Sequence, residues 1–185
     1  MKFILILTLL LTSGAFGNKF EDTLVKAKAG DADAQYELAE MYYLGSGIPE
    51  NATQFVIWLS KSAEQGNANA QTVLGHMYLR GKKGLSVNYA EAIKWFRKSA
   101  EQGNASGQFH LGSQYYKSYL KSYLTKKIDE DGVKAYVWFS MAKTQGHPNG
   151  KRFTDEVKEM MNSSQIAQGE ELAARCWESK FKDCP

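Results

Sequence analysis

The feature that most constrains the fold of this 185-residue chain is an internal repeat. The segments KSAEQGNANAQ (residues 61–71) and KSAEQGNASGQ (residues 98–108) differ at two positions and lie 37 residues apart. Glycines that mark the same point of successive units recur at intervals of 36, 37 and 43: Gly30, Gly66, Gly103 and Gly146. A period of this length predicts stacked units that bury their apolar faces against one another.

The first half of each unit has the residue spacing of a helix. A leucine, a small residue and a tyrosine follow the first three glycines by eight, nine and twelve positions: Leu38, Ala39 and Tyr42; Leu74, Gly75 and Tyr78; Leu111, Gly112 and Tyr115. Because residues three and four positions apart share a helix face, these side chains form one stripe. We therefore expect a first helix of each unit, helix A, over residues 32–44, 69–80 and 106–120.

The second half of each unit predicts helix B, over residues 52–65, 89–102 and 132–145. A tryptophan stands eight residues before the next glycine in each case: Trp58, Trp95 and Trp138. Seven residues before each tryptophan stands a residue type that favours a helix N-cap: Asn51, Asn88 and Asp131. The glycines that follow helix B favour a left-handed helix end. Residues 150–161 and 164–180 predict a last helix pair, so we expect an all-α chain.

The repeated residues resemble the Sel-1-like repeat family, whose units are related to tetratricopeptide repeats. The resemblance rests on G-x-x-x-A-x-x-x-L-G-x-x-Y, a glycine-rich turn and A-x-x-W-x-x-x-S-A-E-Q-G, and it is strongest in YAEAIKWFRKSAEQGNA, residues 89–105. The departures are Phe55 at a usual alanine position, Lys143 within a pair of small residues, and a longer third unit. The resemblance implies a right-handed α-solenoid of about three helix-turn-helix repeats.

The expected boundaries follow from the glycines and the resemblance. The three repeats are expected to span residues 30–65, 66–102 and 103–145, with an insertion near 117–127 in the third. Residues 18–29 are expected to start the first helix or to cap the array at its N-terminal end. Residues 146–185 are expected to form the C-terminal capping helices.

The first 17 residues are expected to be a cleaved signal peptide. Lys2 precedes an apolar run, and Ala15 and Gly17 supply the small residues of a cleavage site. The alternative is a membrane anchor, but the run is shorter than the about 20 residues that a helical span needs. No later segment of the sequence is long and apolar enough to span a membrane. We therefore expect a periplasmic or secreted protein.

Cys176 and Cys184 are the two cysteines of the chain. Export favours a disulfide between them. The alternative is a redox or metal-binding pair, but the spacing is not C-x-x-C and no histidine lies nearby in the sequence. We therefore expect a structural disulfide.

Charge and motifs give little support for an enzyme or a nucleic-acid-binding protein. The 23 basic and 20 acidic residues leave a net charge of +3, which does not favour a nucleic-acid partner. The three histidines, His76, His110 and His147, stand in different units without the spacing of a metal site, and no nucleophile elbow is present. No catalytic, cofactor-binding or metal-binding residue is therefore expected.

One enzymatic alternative comes from the resemblance. Cysteine-rich members of the family have been described as penicillin-binding or β-lactam-hydrolysing, with a disulfide in each repeat. The repeats of this chain contain no cysteine. A β-lactam-interacting hydrolase is therefore the alternative to a binding protein.

The resemblance also implies that helix A lines the concave face of the solenoid, where a partner would bind. Positions six, ten and thirteen after the glycines supply the predicted partner-binding residues: Tyr36, Glu40, Tyr43, Thr72, His76, Phe109, Ser113 and Tyr116. Mixed aromatic and polar side chains suit a protein or peptide ligand. The alternative is that some of these aromatic rings pack on neighbouring helices.

The third unit contains the insertion, YYKSYLKSYLTKKIDEDG over residues 115–132, where tyrosines alternate with lysines. Tyr119 and Lys121 are predicted to contact an acidic partner from a lengthened helix A. The alternative is a tolerated loop expansion. The sequence as a whole predicts an exported, monomeric interaction scaffold that binds a protein or peptide without a cofactor.

Overall fold

The computed structural model describes residues 19–125 and 130–185, and every regular element in those ranges is a helix. The helix α1 is described over residues 19–28, and eight more follow: α2 (Ala32–Leu44), α3 (Ala52–Glu64), α4 (Ala68–Arg80), α5 (Tyr89–Ala100), α6 (Ala105–Leu124), α7 (Asp131–Thr144), α8 (Gly150–Met160) and α9 (Ser163–Glu178). The predicted signal peptide, and residues 126–127 of the predicted insertion, lie outside the described residues.

The helices follow the predicted order of helix A and helix B, and from α2 to α8 each packs against the next in the sequence, while α9 packs on α7. The helices α2, α4 and α6 are helix A of successive units, and α3, α5 and α7 are helix B. Direct contact between α4 and α6 joins the second unit to the third. The result is an all-α solenoid, as the resemblance predicts.

The repeated glycine ends one unit and the next residue starts the following one. Gly66 and Gly103 have φ of +100° and +80°, which a residue with a Cβ rarely adopts. Asn67 and Asn104 then accept hydrogen bonds from the backbone N–H groups of Ala70 and Gly107, at 2.8 and 2.9 Å. An N-cap of this kind satisfies one of the free N–H groups of a helix N-terminus.

A buried glutamine in helix A ties each unit to the preceding helix. The Gln71 side chain donates to the carbonyl oxygen of Ala63 at 3.0 Å, and Gln35 and Gln108 repeat this bond at 3.0 and 3.3 Å. Gln71 also accepts a 2.8 Å hydrogen bond from Gln102. These bonds satisfy polar groups that would be costly to bury without a partner.

The prediction that Asp131 is the N-cap of the third helix B is wrong. The helix α7 already includes Asp131, and Glu130 precedes it in a helical backbone conformation without a side-chain capping bond. The Asp131 carboxylate instead lies 3.7 Å from the ammonium group of Lys134, one turn further along. A carboxylate in the first turn is favourable because it faces the positive end of the helix dipole.

The helices α8 and α9 cover the far side of α7, so that α7 is buried on several faces. The fully buried Trp138 packs in one cluster with Cys176 of α9. Cys176 forms a disulfide with Cys184, their Cα atoms 4.7 Å apart. In the described ranges, no helix has the length and apolar character needed to cross a membrane.

Candidate functional site

Helix A of the first two units and helix B of the first enclose a pocket of about 490 Å³, within the range of ligand-binding pockets. Its lining residues are Tyr36, Glu40, Tyr43, Phe55, Val73, His76, Met77, Arg80, Lys82 and Lys83. Phe55 and Met77 are buried core residues, so the apolar part of the lining is rigidly held. We call this pocket the groove.

The α2 side of the groove presents an aromatic and an acidic group. Tyr36 and Glu40 are four residues apart on one helix face, so their side chains are neighbours. Burial, followed by the interaction with Glu40 and the charge of its carboxylate, raises the pKa of Tyr36 to about 12. Tyr36 therefore stays protonated at neutral pH.

The other end of the groove is basic. Arg80 is the last residue of α4, and Lys82 and Lys83 follow it after Gly81. The Lys83 ammonium group lies 5.0 Å from the centre of the Tyr43 ring. Lys83 also has a φ of +55°, which is unusual for a residue other than glycine. None of the three cations forms an ion pair with a described carboxylate.

Two histidines meet beside the groove, one from helix A of each of the second and third units. The Nε2 atoms of His76 and His110 are 2.8 Å apart, so one imidazole donates its N–H and the other accepts. Burial, followed by the charge of Arg80, lowers the pKa of His76. Burial also lowers the pKa of His110 to about 3, with smaller effects from His76, His147 and Arg80. The pair is therefore neutral at pH 7.

A row of ring contacts continues from this pair towards the C-terminal helices. Phe109 stacks on His147 with ring centres 4.1 Å apart and planes 12° apart. Phe109 also contacts Phe139 of α7 and Phe153 of α8. Phe109 is therefore held mainly by packing within the fold. For this residue the structure favours the alternative interpretation, in which an aromatic ring of helix A packs on neighbouring helices.

Three residues predicted to contact a partner are buried: the exposed fractions of Thr72, Tyr116 and Tyr119 are 8%, 8% and 5%. The Thr72 hydroxyl lies 2.8 Å from that of Ser99 in helix B. The two tyrosines are covered by α8: Tyr116 donates to the Glu156 carboxylate at 2.6 Å, and Tyr119 to the Met160 carbonyl oxygen at 2.9 Å.

The remaining predicted residues divide between the groove and other places. Tyr36, Glu40, Tyr43 and His76 line the groove together. The half-buried Ser113 donates to the carbonyl oxygen of Phe109 at 2.8 Å, outside the groove lining. Lys121 is exposed on the last turn of α6.

Sequence reasoning missed six of the groove residues: Phe55, Val73, Met77, Arg80, Lys82 and Lys83. The basic group had a usable signal in Gly81-Lys82-Lys83-Gly84, which departs from Gly45-Ser46-Gly47 at the same point of the first unit. Phe55 also had a usable signal in the sequence, because it replaces the small residue that the family pattern has at this position of helix B. Within the described part of the chain, no group of three or more potential metal ligands is gathered into a metal site.

A model of the Sel1 repeat family matches residues 32–67, 68–104 and 105–147. This chain belongs to the Sel1 repeat family. Among curated proteins, a sel1-like repeat-containing protein, L18, of Acanthamoeba polyphaga mimivirus is 43% identical over 47 residues. That match covers 25% of this chain and 8% of the viral protein.

Two solved structures of Sel1 repeat proteins resemble this one. The Sel1 repeat protein from Oxalobacter formigenes is 28% identical, with a TM-score of 0.62 over 75% of this chain and 98% of that one. The protein c5321, a protective antigen present in uropathogenic Escherichia coli strains, is 27% identical, with a TM-score of 0.54 over 88% of this chain and 42% of that one. Sel1 repeats generally act as scaffolds for protein interactions.

Proposed function

We propose that this Sel1 repeat protein is an exported interaction scaffold that binds a protein or peptide in the groove. The observation that carries the proposal is the gathering of Tyr36, Glu40, Tyr43 and His76 around one pocket of about 490 Å³. These residues come from two helices of different units, so the site depends on the stacking of repeats.

The groove has the chemistry of a site for a polypeptide. Buried apolar residues are available to an apolar side chain, while tyrosines and charged groups at the edges can bond to backbone and polar groups. Aromatic anchors surrounded by polar groups are typical of protein interfaces. The helices that carry the lining are packed into the core, so little conformational entropy is lost on binding.

Export is supported by the apolar N-terminal segment with its small-residue cleavage pattern, and by the disulfide. The binding experiment therefore belongs in the envelope or secreted fraction of the native cell. A photoreactive phenylalanine analogue placed at Tyr43, which is 49% exposed, should crosslink to a partner. The same analogue at Tyr89, which is 56% exposed and outside the groove lining, is the matched control.

Substitutions of the groove tyrosines extend this test. Tyr36→Ala with Tyr43→Ala should weaken partner capture at least 10-fold, since interface aromatics contribute about 2 kcal/mol or more. The circular dichroism spectrum should stay unchanged. Equal capture by a folded double variant would contradict the groove as the site. Phe109→Ala should instead lower stability, because this ring packs on Phe139 and Phe153.

The enzymatic alternative is tested on the same protein samples. Purified protein is incubated with nitrocefin, and hydrolysis is followed by its colour change. An interaction scaffold should give the rate of a buffer blank. Turnover that grows in proportion to the amount of protein, and that survives repurification, would refute a purely scaffolding role.

A further inference from the structure

We infer that the groove binds an acidic peptide segment of another protein, with an apolar side chain in the pocket and adjacent carboxylates on Arg80, Lys82 and Lys83. This inference rests on the proposed function and adds the chemistry of the partner. It is carried by the charges of the lining, by the loop that places the two lysines, and by the apolar surface beside the cations.

The charges of the groove are unbalanced. Three cations line it, Arg80, Lys82 and Lys83, against the single carboxylate of Glu40. The cations have no ion-pair partner among the described residues. Negative charge on a partner would be attracted to the basic end of the groove, while positive charge would be repelled.

The loop after α4 fixes where the lysines stand. Gly81 ends the helix with a φ of +62°, and Lys83 and Gly84 continue in the same left-handed region with φ of +55° and +88°. This backbone brings the Lys83 ammonium group over the ring of Tyr43. The equivalent loop of the first unit has Ser46 and Gly47 instead, so the basic pair is a property of this groove and not of the repeat.

Beside the cations, the groove offers apolar surface. Phe55, Val73 and Met77 line it, and Phe55 and Met77 are only 6% and 5% exposed because they belong to the core. Next to Arg80, His76 bonds to His110 and burial keeps it neutral, so it adds no further positive charge at pH 7. An apolar side chain flanked by carboxylates matches both halves of the lining.

The test uses a phage-displayed library of random peptides, selected on the purified protein. Selected peptides should be enriched in aspartate and glutamate next to an apolar residue. Synthetic copies of these peptides are then labelled with fluorescein, and their affinities are measured by fluorescence polarisation. Raising the salt from 50 to 500 mM should weaken their binding severalfold, because exposed charge pairs are screened.

The matched variant copies the loop of the first unit: Lys82→Ser with Lys83→Gly. Glycine suits the positive φ at position 83, so the fold should be retained. Acidic peptides should bind this variant at least about 5-fold more weakly, since two exposed charge contacts are lost. Lys26→Gln with Lys28→Gln changes two exposed lysines of α1 by the same total charge and should leave binding unchanged.

The outcomes separate the two levels of the proposal. Peptides that require Tyr43 but show no acidic enrichment, or that bind the loop variant as well as wild type, would overturn the acidic partner and leave the groove as a binding site. Peptides that bind independently of Tyr43 and the lysines would contradict the groove as the binding site. Failure to select any peptide would contradict it as well. Self-association that the loop variant abolishes would place a second copy of this chain there and refute the inference.

Charge reversal gives an independent check. Lys82→Glu with Lys83→Glu should change the preference of the library selection from acidic to basic peptides. A variant that keeps selecting acidic peptides would show that carboxylates do not contact this loop. Circular dichroism of each variant establishes that the comparison is made between folded proteins.

Discussion

At the scale of single residues, the repeated segment KSAEQGN has a structural use at nearly every position. Ser99 donates to the carbonyl oxygen of Ala68 at 2.8 Å, and the Ala63 carbonyl accepts from Gln71. Gly66 reverses the chain and Asn67 caps the next helix. The segment recurs because one set of bonds is needed wherever helix B meets the next helix A.

The histidine pair leads to a prediction for pH dependence. His110 has a pKa of about 3 in the folded protein against about 6.5 in an unfolded chain. Between these values the unfolded state binds more protons, so lowering the pH reduces stability. From pH 7 to pH 5 we expect a loss of about 1–2 kcal/mol from this residue.

Thermal or urea unfolding at pH 7, 6 and 5 measures this loss. His110→Gln removes the titrating group and should flatten the pH dependence, while the carboxylates remain largely ionised over this range. Identical pH profiles for the variant and the wild type would show that protonation of the pair is not resisted by the fold.

At the scale of helices, the close approach of helix A to helix B depends on matched residue sizes. A Cβ atom on Gly75 would lie 2.7 Å from the ring of Phe96, and one on Gly112 would lie 2.9 Å from that of Phe139. In the first unit the equivalent residues are Ala39 and Leu59, both fully buried. A larger residue on one helix is therefore accompanied by a smaller one on the other.

This matching predicts the effect of Gly75→Ala. The added methyl group should destabilise the protein by about 1–3 kcal/mol, because the aromatic ring of Phe96 must shift. The double variant Gly75→Ala with Phe96→Leu copies the residue pair of the first unit. Its free energy of unfolding should fall by less than the sum of the losses measured in the two single variants. Urea unfolding of the four proteins gives the coupling energy. Strict additivity would contradict direct contact between these positions.

At the scale of the whole molecule, the array ends because α8 and α9 cover α7 with a surface that does not repeat. Val157 and Cys176 are fully buried in this cover, and Tyr116 and Tyr119 bond to α8. Part of the third unit's tyrosine-rich extension therefore serves to attach the C-terminal helices. The exposed Lys121 remains a predicted contact for an acidic partner.

The disulfide between Cys176 and Cys184 should fasten this cover. Mass spectrometry of exported protein should find two hydrogens fewer than in the dithiol form, and no alkylation without a reductant. Cys184→Ser should lower the free energy of unfolding by about 2–3 kcal/mol, since the crosslink restricts the unfolded chain. Two free thiols in exported protein would contradict the bond, and unchanged stability of the variant would show that it does not secure the cover.

Much of the fold could be predicted from the sequence, because the signals are local. The observed starts of α2, α4 and α6 lie within one residue of those predicted, since helix periodicity, glycine and cap residues act over a few positions. The start of α7 also lies within one residue of the prediction, but its N-cap is Glu130 and not Asp131, because Asp131 suits both an N-cap and a first turn. Burial of Thr72, Tyr116 and Tyr119 could not be predicted, because it depends on which distant helix covers each side chain.

The sequence by itself determined the repeat, the order of helices and the family, since each follows from residues close together in the chain. Tertiary structure alone decided which predicted side chains meet. It gathered Tyr36, Glu40, Tyr43 and His76 around one groove and placed the lysines of the α4–α5 loop at its edge. Contacts between units depend on how helices stack in three dimensions, and residue spacing within one unit does not specify that stacking.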